Sequence, residues 1–313
     1  MKRREFTGIL GAGVIAGALG ASSSSAQEPT VTKAAKIPSN QKAGPFSLLF
    51  APNASHFGGG KKEERYFAAL EAAHVAGFRA WEDNWLMSRP AAFQEKLGAR
   101  LEELGMTMGV SVVTTGGGGF WFESDAEMEQ RVIDDCNKAV AMAKRVGHKW
   151  FTTLPGTRDP ERPLAQQFEG SMDLMNKACD IFEKEGLVFV LEPLSHDLNK
   201  RPVLLETFRE GFDFCKMVNR PSCKLLADYY HQQQVAGNLM KFTDECWDEI
   251  AYVQFGDVPG RKQPGTGEIN HLNLVKHLVS KGYEGVIGLE HGIKGTSDDL
   301  VKAYRELDAV VMP

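Results

Sequence analysis

From Phe46 onward, short apolar runs alternate with stretches in which apolar residues recur every three or four positions. These are the two periods of buried strands and of the helices that cover them. The first strand is expected at Phe46–Ala51, followed by a Gly58–Gly60 loop, a helix over Lys62–Ala76 and a second strand over Phe78–Trp81. Phe93, Leu97, Leu101 and Leu104 form a helical stripe that Gly105 stops, and Met108–Thr114 supplies strand three. Ser124 with Glu127 reads as a capping box for a helix carrying Met128, Val132, Cys136 and Val140, ending at Gly147. His148–Leu154 is strand four; Leu174, Ala178, Ile181 and Phe182 mark the next helix, and Gly186 ends it. Leu187–Leu191 is apolar throughout, as a strand buried on both faces should be. Helices near Leu204–Val218, Leu239–Glu249, Leu272–Lys281 and Asp299–Val310 separate the remaining strands.

The rhythm makes eight strand and helix units, the number required by an α/β fold of the (β/α)8 TIM-barrel kind. In such a barrel the strands' C-terminal ends share one face, so residues far apart in sequence converge there. Four apolar runs in the second half end on metal-competent side chains: LVFVLEP at Glu192, KLLADYYH at Asp228, IAYVQFGD at Gln254 and GVIGLEHG at Glu290. A single acid at such a place can be a mere cap or loop residue. Four on successive strands imply one shared site.

Two glutamates, an aspartate and a glutamine amide form an all-oxygen set, which suits Mg²⁺ or Mn²⁺, with Co²⁺ as an alternative, better than structural zinc. Gln254 alone is the weakest ligand of the four, since a glutamine at a strand end is more often a hydrogen-bonding residue. His231, three residues after Asp228, and Arg261, seven after Gln254, are placed to reach the barrel mouth, or to serve as a core imidazole and an ion-paired surface residue. Trp85, Phe120 and Trp121 are candidates for an apolar wall over a sugar face or for the packing of a lid.

Composition places few further constraints. The 313 residues are 42% hydrophobic and 25% charged, ample for a core, and no basic stripe points to nucleic acid. Lys2, Arg3 and Arg4 against Glu5 give residues 1–26 a net +2, leaving −7 for the rest of a chain whose formal charge is −5. Lys2-Arg3-Arg4-Glu5-Phe6-Thr7, the apolar glycine-rich stretch Gly8–Gly20 and Ser24-Ser25-Ala26 read as a twin-arginine export signal cleaved after Ala26. The expected location is therefore periplasmic, with no stable membrane anchor, because the apolar stretch falls short of the roughly 20 residues a span needs. Residues 27–44 lack periodicity and read as a linker, leaving 45–313 as a single domain. The five cysteines form no CxxC pair and are expected to be free, buried thiols.

Glu192-Pro193, Asp228-Tyr229-Tyr230-His231, Gln254-Phe255-Gly256-Asp257 with Arg261, Pro264–Asn270 and Gly288-Leu289-Glu290 together resemble the hydroxypyruvate isomerase family of xylose isomerase-like barrels. The resemblance spans 46–310 in layout, with its specific motifs between Leu187 and Gly292. It implies that Glu192, Asp228, Gln254 and Glu290 bind one divalent cation and that Glu192 and Glu290 are also the paired proton-transfer carboxylates. It further implies that His231 and Arg261 contact substrate oxygens, and it matches Glu82 to an acid ending strand two without assigning it a role.

The implied activity is isomerisation of a small carbohydrate or keto-acid, with hydroxypyruvate and tartronate semialdehyde as the inherited substrates. A ketose 3-epimerase and an inosose dehydratase-type lyase are alternatives, and a non-catalytic carbohydrate-binding barrel is a third. Related barrels pair through surface helices, so a homodimer is a possible assembly. The loops Asn53–Gly60, with His56, and Gly116–Phe122 depart from the family pattern where substrate would enter.

Overall fold

The computed structural model describes residues 44–114, 121–195 and 202–311. The expected leader, all of the expected linker but Gly44, and residues 116–120 of the glycine-rich loop lie outside the described residues.

The strands are β1 (Leu49–Ala51), β2 (Ala80–Trp81), β3 (Thr107–Met108), β4 (Ser111–Thr114), β5 (Trp150–Thr153), β6 (Val188–Leu191), β7 (Cys223–Asp228), β8 (Ile250–Phe255) and β9 (Val286–Leu289). Seven of them form one parallel sheet in the order β1-β9-β8-β7-β6-β5-β4, and β2 and β3 pair in parallel as a separate ribbon. The ribbon bridges the two ends of the large sheet. Glu82 N–H donates to Pro52 O at 2.9 Å on the β1 side, and Val112 N–H donates to Asn84 O at 3.1 Å on the β4 side. The arrangement is the expected TIM barrel, with β3 and β4 as the halves of one bent strand.

The expected strand Met108–Thr114 breaks at Gly109, where a side chain does not fit: a Cβ there would stand 2.3 Å from the Tyr252 hydroxyl. Gly109 N–H instead donates to Trp81 O at 2.6 Å.

The helices α1 (Glu63–Ala76), α2 (Ala91–Leu104), α3 (Ala126–Val146), α4 (Leu164–Phe182), α5 (Phe208–Val218), α6 (Tyr229–Val235), α7 (Leu239–Cys246), α8 (His271–Ser280) and α9 (Ser297–Asp308) follow the expected rhythm. The short α6 is an addition, following β7 directly. The cap of α3 lies one residue later than expected. Ser124 N–H closes the preceding 3-10 turn on Trp121 O, so Asp125 supplies the side chain that accepts from Met128 N–H at 2.8 Å. All five cysteines are buried and free.

Most of the core lies between strands and helices, while a smaller cluster joins Ala51, Ala80, Val110, Val190, Leu226, Tyr252 and Val286. Side chains on a strand alternate between two faces, so the residue two positions on points the same way. Two positions beyond Ala80, Val190, Leu226, Tyr252 and Val286 stand Glu82, Glu192, Asp228, Gln254 and Gly288. Asp228 pairs in register with Gln254, and Gln254 with Gly288. The apolar layer therefore carries a layer of acids and an amide directly above it, at the strands' C-terminal ends.

Candidate active site

Glu192 and Glu290 each follow the last residue of their strand, β6 and β9, while Asp228 closes β7 and Gln254 sits next to the end of β8. Asp228 and Gln254 are fully buried and Glu192 nearly so. The structure thus brings together all four expected ligand residues. Two of their oxygens, Glu192 Oε1 and Gln254 Oε1, are buried without a hydrogen-bond partner. Buried acceptors of this kind are costly unless something is meant to occupy them.

The electrostatics agree. Burial pushes the Glu192 carboxyl well above its ordinary range, reinforced by the charges of Glu290 and Asp228. Glu290 and Asp228 are also raised by burial, with Arg261 pulling each back.

Arg261 is where the sequence offset placed it, but its first contacts are the carboxylates. Its guanidinium Nη2 donates to Asp228 Oδ2 at 2.7 Å and lies 3.0 Å from Glu290 Oε2, while Nε donates to the Glu290 carbonyl at 2.8 Å. The particular motif Pro264–Asn270 explains how it is held. The buried Asp257 carboxylate accepts from the backbone N–H groups of Val258, Thr266, Gly267 and Ile269, folding the loop back on itself. Arg261 N–H then closes on Asp257 O at 3.0 Å.

His231 is buried, and burial lowers its pKa to about 3, so it is neutral. Ser195 N–H donates to its Nδ1 at 3.0 Å. A backbone amide can only donate, so the ring proton is on Nε2. Nε2 faces Glu192 Oε1 at 3.6 Å and Asp228 Oδ2 at 3.7 Å. Glu192, Asp228 and His231 have ligand-type atoms within 4.8 Å of one another. The protonated Nε2 nevertheless has no lone pair for a cation, so His231 is a hydrogen-bond donor into the site and the oxygen set is the metal-competent one.

Three residues unforeseen in these roles complete the site. Asn84 Nδ2 donates to Glu290 Oε1 at 3.3 Å, and Ser195 sets the His231 tautomer. Glu82, buried and with its carboxyl raised well above normal by burial and by Glu290, accepts from Gln254 Nε2 at 3.0 Å and from the Tyr252 hydroxyl at 2.8 Å. With its amide nitrogen committed to Glu82, Gln254 must present its oxygen to the cluster. Among the aromatic candidates, Trp121 is fully buried and packs the core, whereas Trp85 is 68% exposed. His56 is structural: its Nδ1 accepts from Asn53 N–H at 3.0 Å and its Nε2–H donates to His291 O at 2.8 Å.

The cluster opens into a cavity of about 360 Å³ lined by Asn84, Trp85, Glu192, His231, Arg261 and Glu290 among others. That size suits a small polar ligand.

Comparison with known proteins identifies relatives of the whole domain. The chain is 28% identical to a 2-oxo-tetronate isomerase of Haemophilus influenzae over 242 residues, 74% of this chain and 90% of the relative. It is 27% identical to a putative human hydroxypyruvate isomerase, over 73% of this chain and 84% of that one. Among solved structures it resembles an AP endonuclease, family 2, of Brucella melitensis (TM-score 0.70, 22% identity, 83% and 98% coverage). It also resembles a D-allulose 3-epimerase of Methylomonas sp. bound to D-allulose (TM-score 0.68, 19% identity, 85% and 98% coverage). A model described as Xylose isomerase-like TIM barrel matches residues 70–307, so the chain belongs to that family.

Proposed function

We propose that this protein is a divalent-cation-dependent isomerase of a small α-hydroxy carbonyl substrate, keto-acid or sugar, with Glu192 and Glu290 as the two proton-carrying carboxylates. The observation that carries the proposal is the pair itself: two glutamates from strands separated by β7 and β8 line one cavity. The isomerase names of the relatives point the same way.

Glu192, Asp228, Gln254 and Glu290 would hold the cation, and their chemistry fits it: all four donors are oxygens, and Glu192 Oε1 and Gln254 Oε1 have no hydrogen-bond partner. A bound Mg²⁺ or Mn²⁺, with Co²⁺ as the alternative, supplies positive charge against the developing enediolate and keeps the acids ionised.

One glutamate takes the proton from the carbon bearing the hydroxyl, and the released electron pair forms the carbon–carbon double bond as the carbonyl oxygen becomes negative. Return of a proton to the former carbonyl carbon, with transfer of the hydroxyl proton to the former carbonyl oxygen, gives the isomer. His231 Nε2–H and the Arg261 guanidinium are the donors available to the substrate oxygens. Return of the proton to the opposite face of the same carbon would give an epimer instead, and glutamates on separate strands allow that outcome too. On the strength of the Lys2–Thr7 leader we further propose that the enzyme is exported to the periplasm.

The test is proton NMR in deuterated water with Mn²⁺ or Mg²⁺ over hydroxypyruvate, tartronate semialdehyde, ketoses and inososes. Metal-dependent exchange at carbon, lost in Glu192→Gln and Glu290→Gln, is the expected result. Absence of exchange from every compound would overturn the reading, and loss of water from an inosose would replace it with a dehydratase.

A further inference from the structure

The turn after β2 carries an unexplained side chain. Its backbone is tied down at each point: Trp85 N–H donates to Asp83 Oδ1 at 2.9 Å, Ser88 Oγ–H donates to Trp85 O at 2.7 Å, and Ser111 Oγ–H donates to Asp83 O at 2.8 Å. Yet the Trp85 indole is 68% exposed, the most exposed of the large apolar side chains among the described residues. Folding gains little from it. Its place, at the border of two cavities, is what makes the ring available to a ligand.

Trp85 lines two cavities at once. One is the acid-lined cavity already described; the other, also about 360 Å³, lies on the side of the loops after β1 and β2 and is bordered by Asn53, Ser55, Lys61, Asp83 and Arg89. Asn84 and Trp85 are common to both. Each volume is at the lower end for a small-ligand site. A three- or four-carbon acid would occupy the first and leave the second, together with the indole, unused.

Charge narrows what the second cavity takes. The cavity is bordered by two cations, Lys61 and Arg89. Arg89 is committed: its guanidinium lies 5.0 Å from the Tyr66 ring centroid and 4.8 Å from that of Phe93, and its Nε is 3.8 Å from Asp83 Oδ2. A phosphate or carboxylate would find Arg89 already engaged by Asp83, Tyr66 and Phe93. Asn53, Ser55 and Asp83 border the cavity with polar side chains of the kind that take a sugar's hydroxyls.

We propose that this second cavity is a subsite for a neutral pyranose ring, with Trp85 as the stacking platform at its junction with the reaction cavity, so that the substrate class is a two-ring glycoside whose carbonyl-bearing ring reaches Glu192 and Glu290. The inference rests on the sugar arm of the function proposed above. It assigns the free faces of a pyranose to the indole and its hydroxyls to Asn53, Ser55 and Asp83.

The test uses sugars without a reactive carbonyl, so it needs neither cation nor proton transfer and can fail independently of the isomerase reading. Binding of methyl glucoside, trehalose and the methyl glycosides of maltose, cellobiose, gentiobiose and lactose is measured by calorimetry and saturation-transfer NMR on the wild type, Trp85→Ala and Trp85→Phe. At least one disaccharide is expected to bind ten-fold or more tightly than methyl glucoside. That ratio should collapse towards one in Trp85→Ala and be largely kept in Trp85→Phe. Three results would overturn the subsite: no disaccharide exceeding methyl glucoside, a ratio that survives Trp85→Ala, or equal weakening of one-ring and two-ring ligands.

Discussion

Glu82 and Gln254, 172 positions apart, are joined by one hydrogen bond of 3.0 Å that fixes which end of the glutamine amide faces the acid cluster. Gln254 Nε2 donates to Glu82 Oε1, so the amide oxygen is left facing the site. If Gln254 ligates the proposed cation, Glu82 stands one step behind a metal ligand, and residues so placed typically contribute 10–100-fold in affinity. Glu82→Leu is therefore expected to weaken Mn²⁺ binding to the metal-stripped protein by roughly that factor. Titration calorimetry measures it, with far-ultraviolet circular dichroism confirming an intact fold. Glu82→Gln retains an acceptor oxygen and should lose less.

Gly288 makes that arrangement possible. A Cβ at Gly288 would stand 2.0 Å from Glu82 Oε2 and 2.9 Å from Gln254 Cγ. Gly288→Ala should displace Glu82, with a stability loss of about 1–3 kcal/mol, the usual cost of overpacking. It should also weaken Mn²⁺ binding in the same direction as Glu82→Leu. Urea denaturation and calorimetry on one sample check both effects; unchanged cation affinity would break the link between Gly288, Glu82 and the amide.

How much of this was legible from the sequence depends on the range of the contact. Strand ends, helix stripes and the residues finishing each apolar run are local signals, and they located Glu192, Asp228, Gln254 and Glu290 before any coordinates. The cap of α3 was missed by one residue because Ser124 N–H is drawn into a 3-10 turn, which the Ser-x-x-Glu pattern does not encode. Strand three was drawn as continuous because the obstacle at Gly109 is the Tyr252 hydroxyl, 143 positions away. Glu82 could be seen as an acid at a strand end, but its partners Tyr252 and Gln254 lie on the far side of the chain. Arg261 was placed correctly by its offset, whereas its bond to Asp228 depends on a loop folded around Asp257.

Acid should destabilise the protein through histidines outside the site. Burial lowers His56, His148 and His271 to about 4. A depressed folded pKa means that the unfolded chain takes up protons first. The stability these residues confer is thus complete above the unfolded value near 6.5 and is lost as pH falls from there towards 4. Each shift corresponds to at most about 3 kcal/mol. Unfolding free energies from urea titrations should fall between pH 7 and pH 4.5, and the fall should be smaller in His148→Leu. An identical slope in the variant would show that His148 does not take part.

The final prediction separates His231 from the ligands it touches. Its Nε2 lies within 3.7 Å of oxygens on both Glu192 and Asp228, a spacing that by itself admits a metal site of three residues. Ser195 N–H on Nδ1 decides otherwise, because it leaves the proton on Nε2. His231→Phe removes a donor to substrate oxygens and retains every oxygen ligand. It should lower kcat by about 10–1,000-fold, the range for loss of one oxyanion donor or proton-handling group, while Mn²⁺ affinity changes less than about three-fold. Asp228→Asn removes a ligand charge and should do the reverse, weakening Mn²⁺ binding before anything else. Calorimetry on the two stripped variants distinguishes the roles directly. If His231→Phe lost the cation as Asp228→Asn does, the histidine would be a ligand, and the tautomer set by Ser195 would have to invert on metal binding.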